Sequence, residues 1–163
     1  SISWHAPESV TQTRFTQHIE QLGEQTSLNK KSRDVLWWKG YDVNSWGYPT
    51  FLMEIAVAKY TQPYSNIPSI DTFRKDQLKL WSGTAHAMDE VVLGGQRWLR
   101  ITADYSDELN ACRRVQFQVP LTCDFFLNVM AEYDKEARKD VEWLTSRMAV
   151  MSNVVESIRI TRQ

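Results

Sequence analysis

The chain has 163 residues, 19 basic and 20 acidic side chains, two cysteines and seven tryptophans. A chain of this length buries roughly two-thirds of its extended surface without disulfide or metal staples, so we expect a single domain over residues 1–163. The net charge of −1 argues against nucleic acid as a partner, and the absence of a long apolar run argues against a transmembrane segment.

The chain begins with one predicted helix and continues with strand-like tracts. Apolar residues spaced by three or four positions place the helix at residues 11–22. From Val35 the pattern is typical of strands, with turn residues between two aromatic or apolar tracts. In the second tract Phe51, Met53 and Ile55 have the same parity, which predicts that they share one face of a strand.

The middle of the chain contains a second predicted helix and a β-hairpin. Helical spacing returns over residues 70–82, and Gly83 is a suitable stop. The dipeptide Gly94-Gly95 follows a short apolar stretch and precedes an alternating one that begins at Arg97. Two glycines between alternating runs are a strong turn signal, so we predict a hairpin at this point.

Two further strands and a third helix complete the prediction. Alternation continues on both sides of Pro120, which marks a turn because proline cannot donate to a strand ladder. Apolar residues then recur at helical spacing over residues 136–153, and a short strand near Ile160 ends the chain. The expected fold class is therefore α+β, with an antiparallel sheet of about five to seven strands packed against two or three helices.

From Val91 to Ile160 the chain runs through a Gly-Gly turn, a tryptophan-bearing strand, a strand ending in Val-Pro-Leu, a Phe-Phe-Leu strand and a long helix. The distinctive positions are Gly94, Gly95, Trp98, Pro120, Leu121, Trp143, Ser157 and Ile158. In this order the chain resembles the C-terminal half of the PsbP-like superfamily. That superfamily includes photosystem accessory proteins, a Ran-binding nuclear import factor, DcrB-type bacterial lipoproteins and adaptors of type VI secretion effectors. The resemblance implies an antiparallel sheet flanked by helices and a function in binding.

Residues with catalytic or metal-binding chemistry are scattered along the sequence. His5, His18 and His86 lack the spacing of a zinc site, and His86 with Asp89 and Glu90 needs a further ligand to hold a metal. The sequence contains no Gly-x-Ser-x-Gly elbow and no phosphate-cradling glycine loop. We therefore expect no enzyme activity, no metal and no cofactor.

The two cysteines bear on the cellular compartment. Cys112 and Cys123 have opposite parity across the predicted turn at Pro120, so they do not face each other in a regular hairpin. A bulge could bring them within bonding distance, and the sequence leaves a disulfide open. An exported protein favours such a bond, whereas a cytoplasmic one does not.

An aromatic tract provides the candidate binding site. Because adjacent strand residues point to opposite faces, Trp37 and Trp38 cannot both enter one core face. Either a helix covers the second face, or the aromatic side chains form an exposed patch that binds another protein. The predicted partner-binding residues are Trp37, Trp38, Tyr41, Trp46 and Tyr48.

Three functional hypotheses follow from the sequence. The first is a non-enzymatic protein-binding module of the bacterial cell envelope, periplasmic or envelope-associated, for example an accessory or immunity-type protein linked to secretion. The second is a small-ligand or lipid carrier with a pocket between sheet and helices. The third is a cytoplasmic adaptor for an exported effector. The sequence leaves the oligomeric state open. Methionines predicted to line the carrier's pocket are Met53, Met130, Met148 and Met151.

Overall fold

A computed structural model describes residues 2–5, 11–12, 35–42, 51–83, 85–106, 111–134 and 137–161. For residues 11–12 and 35–42 the description covers the backbone pairing alone. The strands are β1 (Ile2–Ser3), β2 (Thr11–Gln12), β3 (Val35–Asp42), β4 (Phe51–Lys59), β5 (Ala85–Leu93), β6 (Gln96–Ser106), β7 (Ala111–Pro120), β8 (Phe125–Asp134) and β9 (Arg159–Ile160). The helices are α1 (Ile70–Leu80), α2 (Val141–Ser157) and a 3-10 turn (Ala137–Lys139).

Seven strands form one antiparallel sheet in the order β2-β3-β4-β8-β7-β6-β5. The predicted hairpin and the strands after it form a meander, β5 to β8. β4 adds to the outer side of β8, with Phe51 opposite Tyr133. β1 and β9 pair with each other outside this sheet. The predicted α+β class with an antiparallel sheet is confirmed.

The two helices cover opposite faces of the sheet. Trp98 packs with α2, whereas its neighbour Leu99 packs with α1, as expected for adjacent residues of a strand. We call these two sets of buried residues the α2 core and the α1 core. The predicted face of β4 lies in the α2 core, where Phe51, Met53 and Ile55 are fully buried.

Capping residues set the helix boundaries. Ser69 Oγ accepts a hydrogen bond from the Thr72 amide at 3.1 Å, so α1 begins where the sequence predicted. Asp140 accepts a hydrogen bond from the Trp143 amide at 3.0 Å and caps α2. The predicted start of this helix at residue 136 is therefore wrong, because a separate 3-10 turn precedes Asp140. The helix also continues to Ser157, beyond the predicted end at residue 153.

The prediction for the N-terminal helix is wrong at its first two residues. Thr11 and Gln12 form strand β2 and pair with Asp42 and Tyr41 at the edge of the sheet. Apolar spacing does not reveal such a pairing, because the partner strand lies about thirty positions further along the chain. The remainder of the prediction, residues 13–22, lies outside the described residues.

The two cysteines are not bridged to each other. Cys112 lies near the beginning of β7, and Cys123 lies in the loop beyond its end at Pro120. Eight strand residues extend over about 27 Å, whereas bridged Cα atoms lie within about 7 Å. The sheet geometry therefore keeps the two cysteines apart, and a disulfide between them gives no support to an exported location.

Candidate functional site

A cleft of about 390 Å³ lies between the end of β4, the segment that follows it and the last turns of α1. Lys59 and Tyr60 contribute the β4 side, and Asp76 and Leu80 contribute the helix side. The rest of the lining is Thr61, Gln62, Pro63, Tyr64, Gln77, Lys79 and Phe126.

Aromatic rings form the base of the cleft. Tyr60 is buried and stacks on Phe126, with ring centroids 5.4 Å apart and planes inclined by 23°. Tyr64 meets the Tyr60 ring edge-on at 4.8 Å, and Phe73 of α1 approaches it at 5.8 Å. Such offset and edge-to-face contacts are favourable, so the base of the cleft is continuous with the α1 core.

A short hydrogen-bonded chain forms one wall of the cleft. The Tyr64 hydroxyl donates to Asp76 Oδ2 at 2.7 Å, and Lys79 Nζ donates to Asp76 Oδ1 at 3.1 Å. These two bonds, first that of Tyr64, hold the pKa of Asp76 below its usual range. Burial, and then the nearby Asp76 carboxylate, raise the pKa of Tyr64. At neutral pH the wall therefore carries an ionised carboxylate and a protonated phenol.

Backbone hydrogen bonds fix the segment that carries Tyr60 and Tyr64. The Tyr60 amide donates to the Asp124 carbonyl at 2.9 Å, and the Tyr64 amide donates to the Cys123 carbonyl at 2.8 Å. On the helix side Trp81 Nε1 donates to Oε1 of the buried Gln77 at 3.2 Å. The cleft is therefore held from three parts of the chain and is preformed.

Exposed apolar side chains lie on and beside the cleft. Leu80 lines the cleft and is 55% exposed, and Leu78 of the same helix is 47% exposed without lining it. Lys79 lies between them in sequence and is largely exposed. This end of α1 thus presents apolar and basic groups to solvent.

Two residues of the polar parity of β7, Gln116 and Gln118, are buried. Gln118 is completely buried and its Nε2 donates to Gln116 Oε1 at 3.1 Å and to Asn128 Oδ1 at 3.0 Å. Gln118 pairs with Leu99 of the α1 core, so this amide cluster lies on the α1 side of the sheet.

The arginines of the meander do not form a positive strip. Arg97 pairs with Glu90, Arg100 Nε donates to Asp89 Oδ1 at 2.9 Å, and Arg114 pairs with Glu132. Each of these pairs joins neighbouring strands.

A further set of charges surrounds Asp104. A two-pronged hydrogen bond from Arg113, with smaller contributions from Arg138 and His86, lowers the pKa of Asp104 to about 2. His86 Nε2 lies 2.8 Å from Asp104 Oδ2, not beside Asp89 and Glu90 as the metal alternative required. Among the described residues, no three His, Cys, Asp or Glu side chains are grouped closely enough to hold a metal ion.

Comparisons with known proteins identify similar folds. The sequence matches no protein-family model and no curated protein. The structure is similar to that of LpqN from Mycobacterium tuberculosis, which is described as involved in cell envelope biogenesis. The TM-score is 0.53 and the sequence identity 12%, over 99% of this chain and 84% of LpqN.

A second similar structure is that of a protein from Bacteroides thetaiotaomicron, with a TM-score of 0.50 and 9% identity. That match covers 99% of this chain and 46% of the Bacteroides protein, so the chain spans less than half of that protein's length. At such identities the comparisons establish a shared fold. Neither described helix is long and apolar enough to cross a membrane.

The predicted partner-binding residues are only partly located by the structure. In the backbone register of β3, Trp37 lies opposite Val57, Trp38 opposite Ala56 and Tyr41 opposite Met53. Their side chains, together with Trp46 and Tyr48 entirely, lie outside the described residues. The assignment of a partner to this tract therefore stays a prediction.

The methionines predicted to line a pocket do not line the cleft. Met53 and Met151 are completely buried in the α2 core, and Met148 packs at its margin. Met130 is partly buried at the centre of β8. The cleft instead uses Tyr60, Tyr64, Asp76 and Leu80, which sequence reasoning did not select. The one available signal was the aromatic content of the segment after β4.

Proposed function

We propose that this protein is a non-enzymatic binding protein of the cell envelope that holds an organic ligand in the cleft beside α1. The observation that carries this proposal is the cleft itself. Its 390 Å³ falls in the range of roughly 300–1,000 Å³ typical of small-molecule sites. It combines aromatic rings with a few fixed polar groups, which is the composition expected of such a site.

The chemistry of the cleft supports binding rather than catalysis. A general base works best when its pKa lies near the operating pH. The pKa of Asp76 is lowered instead, because Tyr64 and Lys79 both donate hydrogen bonds to its carboxylate. These three groups satisfy one another and form a rigid wall suited to orienting a ligand.

Two similarities support an envelope location. LpqN, which shares the fold, is described as involved in cell envelope biogenesis. Residues 91–160 resemble the PsbP-like superfamily, which includes DcrB-type lipoproteins. A carrier that works between sheet and helix is consistent with both.

A neutral aromatic probe tests whether the cleft binds ligands. We expect 3-phenylpropan-1-ol to shift the backbone NMR signals of Tyr64, Asp76 and Lys79 in a saturable titration. Leu80→Ala removes about 40 Å² of apolar contact, worth about 1 kcal/mol, and should weaken binding about fivefold. Leu78→Ala is the matched control, because Leu78 is similarly exposed on the same helix but does not line the cleft. Equal effects of the two variants, or no saturable shifts, would contradict the proposal.

A protein partner is the second candidate, favoured by the exposed Ile67, Leu78 and Leu80 around α1. In this form the protein is the envelope module linked to secretion that the sequence suggested, with Trp38 and Trp46 among its contacts. We expect Trp38→Ala and Trp46→Ala to weaken binding of an identified partner at least tenfold, as measured by calorimetry. If the folded variants bound the partner with unchanged affinity, the aromatic tract would not be the docking surface.

A further inference from the structure

The polar wall of the cleft contains two opposite charges that are bonded to each other. Lys79 Nζ donates to Asp76 Oδ1 at 3.1 Å, and both residues line the cleft. The Tyr64 hydroxyl donates to the other carboxylate oxygen, Asp76 Oδ2, at 2.7 Å. Lys59, the third charged residue of the lining, has an interaction partner of its own. Among the residues that line the cleft, no charged side chain is therefore without a partner.

Both members of the pair keep hydrogen-bonding capacity that the protein does not use. An ammonium group has three N–H donors, and the bond to Asp76 uses one of those of Lys79. An ionised carboxylate has about four acceptor sites, and Tyr64 and Lys79 occupy two of those of Asp76. The Lys79 and Asp76 side chains are 78% and 39% exposed, so a ligand can reach them. A ligand in the cleft thus meets a donor and an acceptor side by side.

This arrangement favours a ligand group that both donates and accepts hydrogen bonds. A ligand carboxylate can only accept, and its attraction to Lys79 is offset by repulsion from Asp76. A ligand ammonium can only donate, and its attraction to Asp76 is offset by repulsion from Lys79. A hydroxyl group can accept from Lys79 and donate to Asp76 without adding a charge. The uncharged hydroxyl group therefore matches both members of the pair.

Apolar surface lies directly beside the pair. Leu80 follows Lys79 in the chain and lines the same cleft, whose base is formed by Tyr60 and Phe126. We propose that the ligand is an uncharged alcohol, with a ring or short chain on this apolar surface and its hydroxyl group bonded to both Asp76 and Lys79. This inference rests on the proposed function and names the ligand class of the same cleft.

Four probes with one skeleton test the inference: 3-phenylpropan-1-ol, its methyl ether, 3-phenylpropionate and 3-phenylpropan-1-amine, which is cationic at neutral pH. We expect the alcohol to bind about fivefold more tightly than each of the others, because the ether cannot donate and each ion faces a like charge. Dissociation constants come from NMR titration at low ionic strength. Binding of the ether or of either ion as tight as that of the alcohol would overturn the inference and leave the cleft as a binding site. Failure of all four probes to bind would overturn the proposed function as well.

Removal of one member of the pair should leave the charge of the other uncompensated. In Asp76→Asn the amide oxygen can still accept from Tyr64, whereas Lys79 loses its counter-charge, so 3-phenylpropionate should bind more tightly than the alcohol. In Lys79→Gln the amine should instead become the tightest of the four probes. The double variant Asp76→Asn/Lys79→Gln carries no charge at either position and should prefer the alcohol again.

Asp71→Asn and Lys75→Gln are the matched controls, since they remove the same charges from α1 outside the cleft lining. Both should leave the order of the four probes unchanged. The same changes of preference in these controls would assign the order to general surface charge and overturn the contact with Asp76 and Lys79. An unchanged order in both Asp76→Asn and Lys79→Gln would overturn that contact as well.

Discussion

Two adjacent glycines in the β5–β6 turn perform different tasks. Gly94 and Gly95 both have positive φ, at 60° and 78°, as a two-residue hairpin turn requires. A Cβ atom on Gly94 would lie 2.2 Å from the carbonyl oxygen of Glu156 in α2. A Cβ atom on Gly95 would meet nothing within 4 Å. Gly95 is thus needed for the turn, whereas Gly94 also lets the turn pack against the end of α2.

Alanine substitutions separate these two tasks. Gly95→Ala should reduce the free energy of unfolding by about 1 kcal/mol, because alanine adopts the left-handed conformation at that cost. Gly94→Ala carries the same cost and adds a clash with backbone, so we expect a loss of about 2–4 kcal/mol. Urea unfolding followed by tryptophan fluorescence measures both values. Equal losses would show that the turn can move away from Glu156 without cost.

At the scale of elements, alternation predicted the sheet well. The parity of each strand is a local property, and in β4, β7 and β8 the residues of the apolar parity enter the α2 core, whereas Leu99 and Ile101 of β6 enter the α1 core. The helix boundaries were harder to predict from the sequence. The periodicity of α2 begins at Ala137, yet this residue belongs to a 3-10 turn that Asp134 fixes by accepting a hydrogen bond from the Ala137 amide at 2.8 Å. A periodic pattern does not distinguish such a turn from the helix that follows.

The cleft could not be predicted because it depends on contacts between separate elements. Tyr64 and Asp76 belong to a loop and a helix, and the loop is held by carbonyls of Cys123 and Asp124 that lie about sixty positions away. The burial of Gln118 has the same origin, since a polar parity indicates solvent only when nothing covers that face. Sequence periodicity records which face a residue occupies and carries no information about what lies above it.

α1 has two functionally different halves. Near its beginning, Asp71 lies 3.6 Å from Arg97 of β6, and Arg74 Nη2 donates to the Met88 carbonyl of β5 at 3.4 Å. Near its end, Asp76 and Leu80 form the wall of the cleft. The first half therefore fixes the helix to the sheet edge, so that the second half can present a rigid binding surface.

At the scale of the whole molecule, the near-neutral charge conceals an ordered distribution. The cations of the meander are compensated across strands, as in the pairs of Arg100 with Asp89 and Arg114 with Glu132. On the α1 side, Lys79 is likewise compensated by Asp76, at 3.1 Å in the wall of the cleft. The balanced composition is thus matched by local pairing of opposite charges, which a net charge cannot reveal.

The two cores differ in size, and this difference predicts how the molecule opens. Among the described residues, sixteen buried ones form the α2 core and seven form the α1 core. α1 depends on the smaller core, in which Phe73 is completely buried against Tyr60 and Phe126. Since local stability follows buried apolar contact, α1 and the cleft should open before β7 and β8 do.

Substitutions in the two cores test this order. Phe73→Ala removes buried contacts worth about 3–5 kcal/mol of stability. Most of this destabilisation should appear as local unfolding of α1. We expect amide hydrogen exchange to accelerate at least about a hundredfold in α1, with a much smaller change in β7 and β8. Met151→Ala creates a cavity in the α2 core. It should lower the free energy of unfolding by about 2–5 kcal/mol and reduce protection from exchange throughout β4, β7 and β8. If Phe73→Ala lowered protection equally in α1 and in the central strands, the two cores would unfold as one cooperative unit, and the cleft could not open to exchange its ligand independently of the sheet.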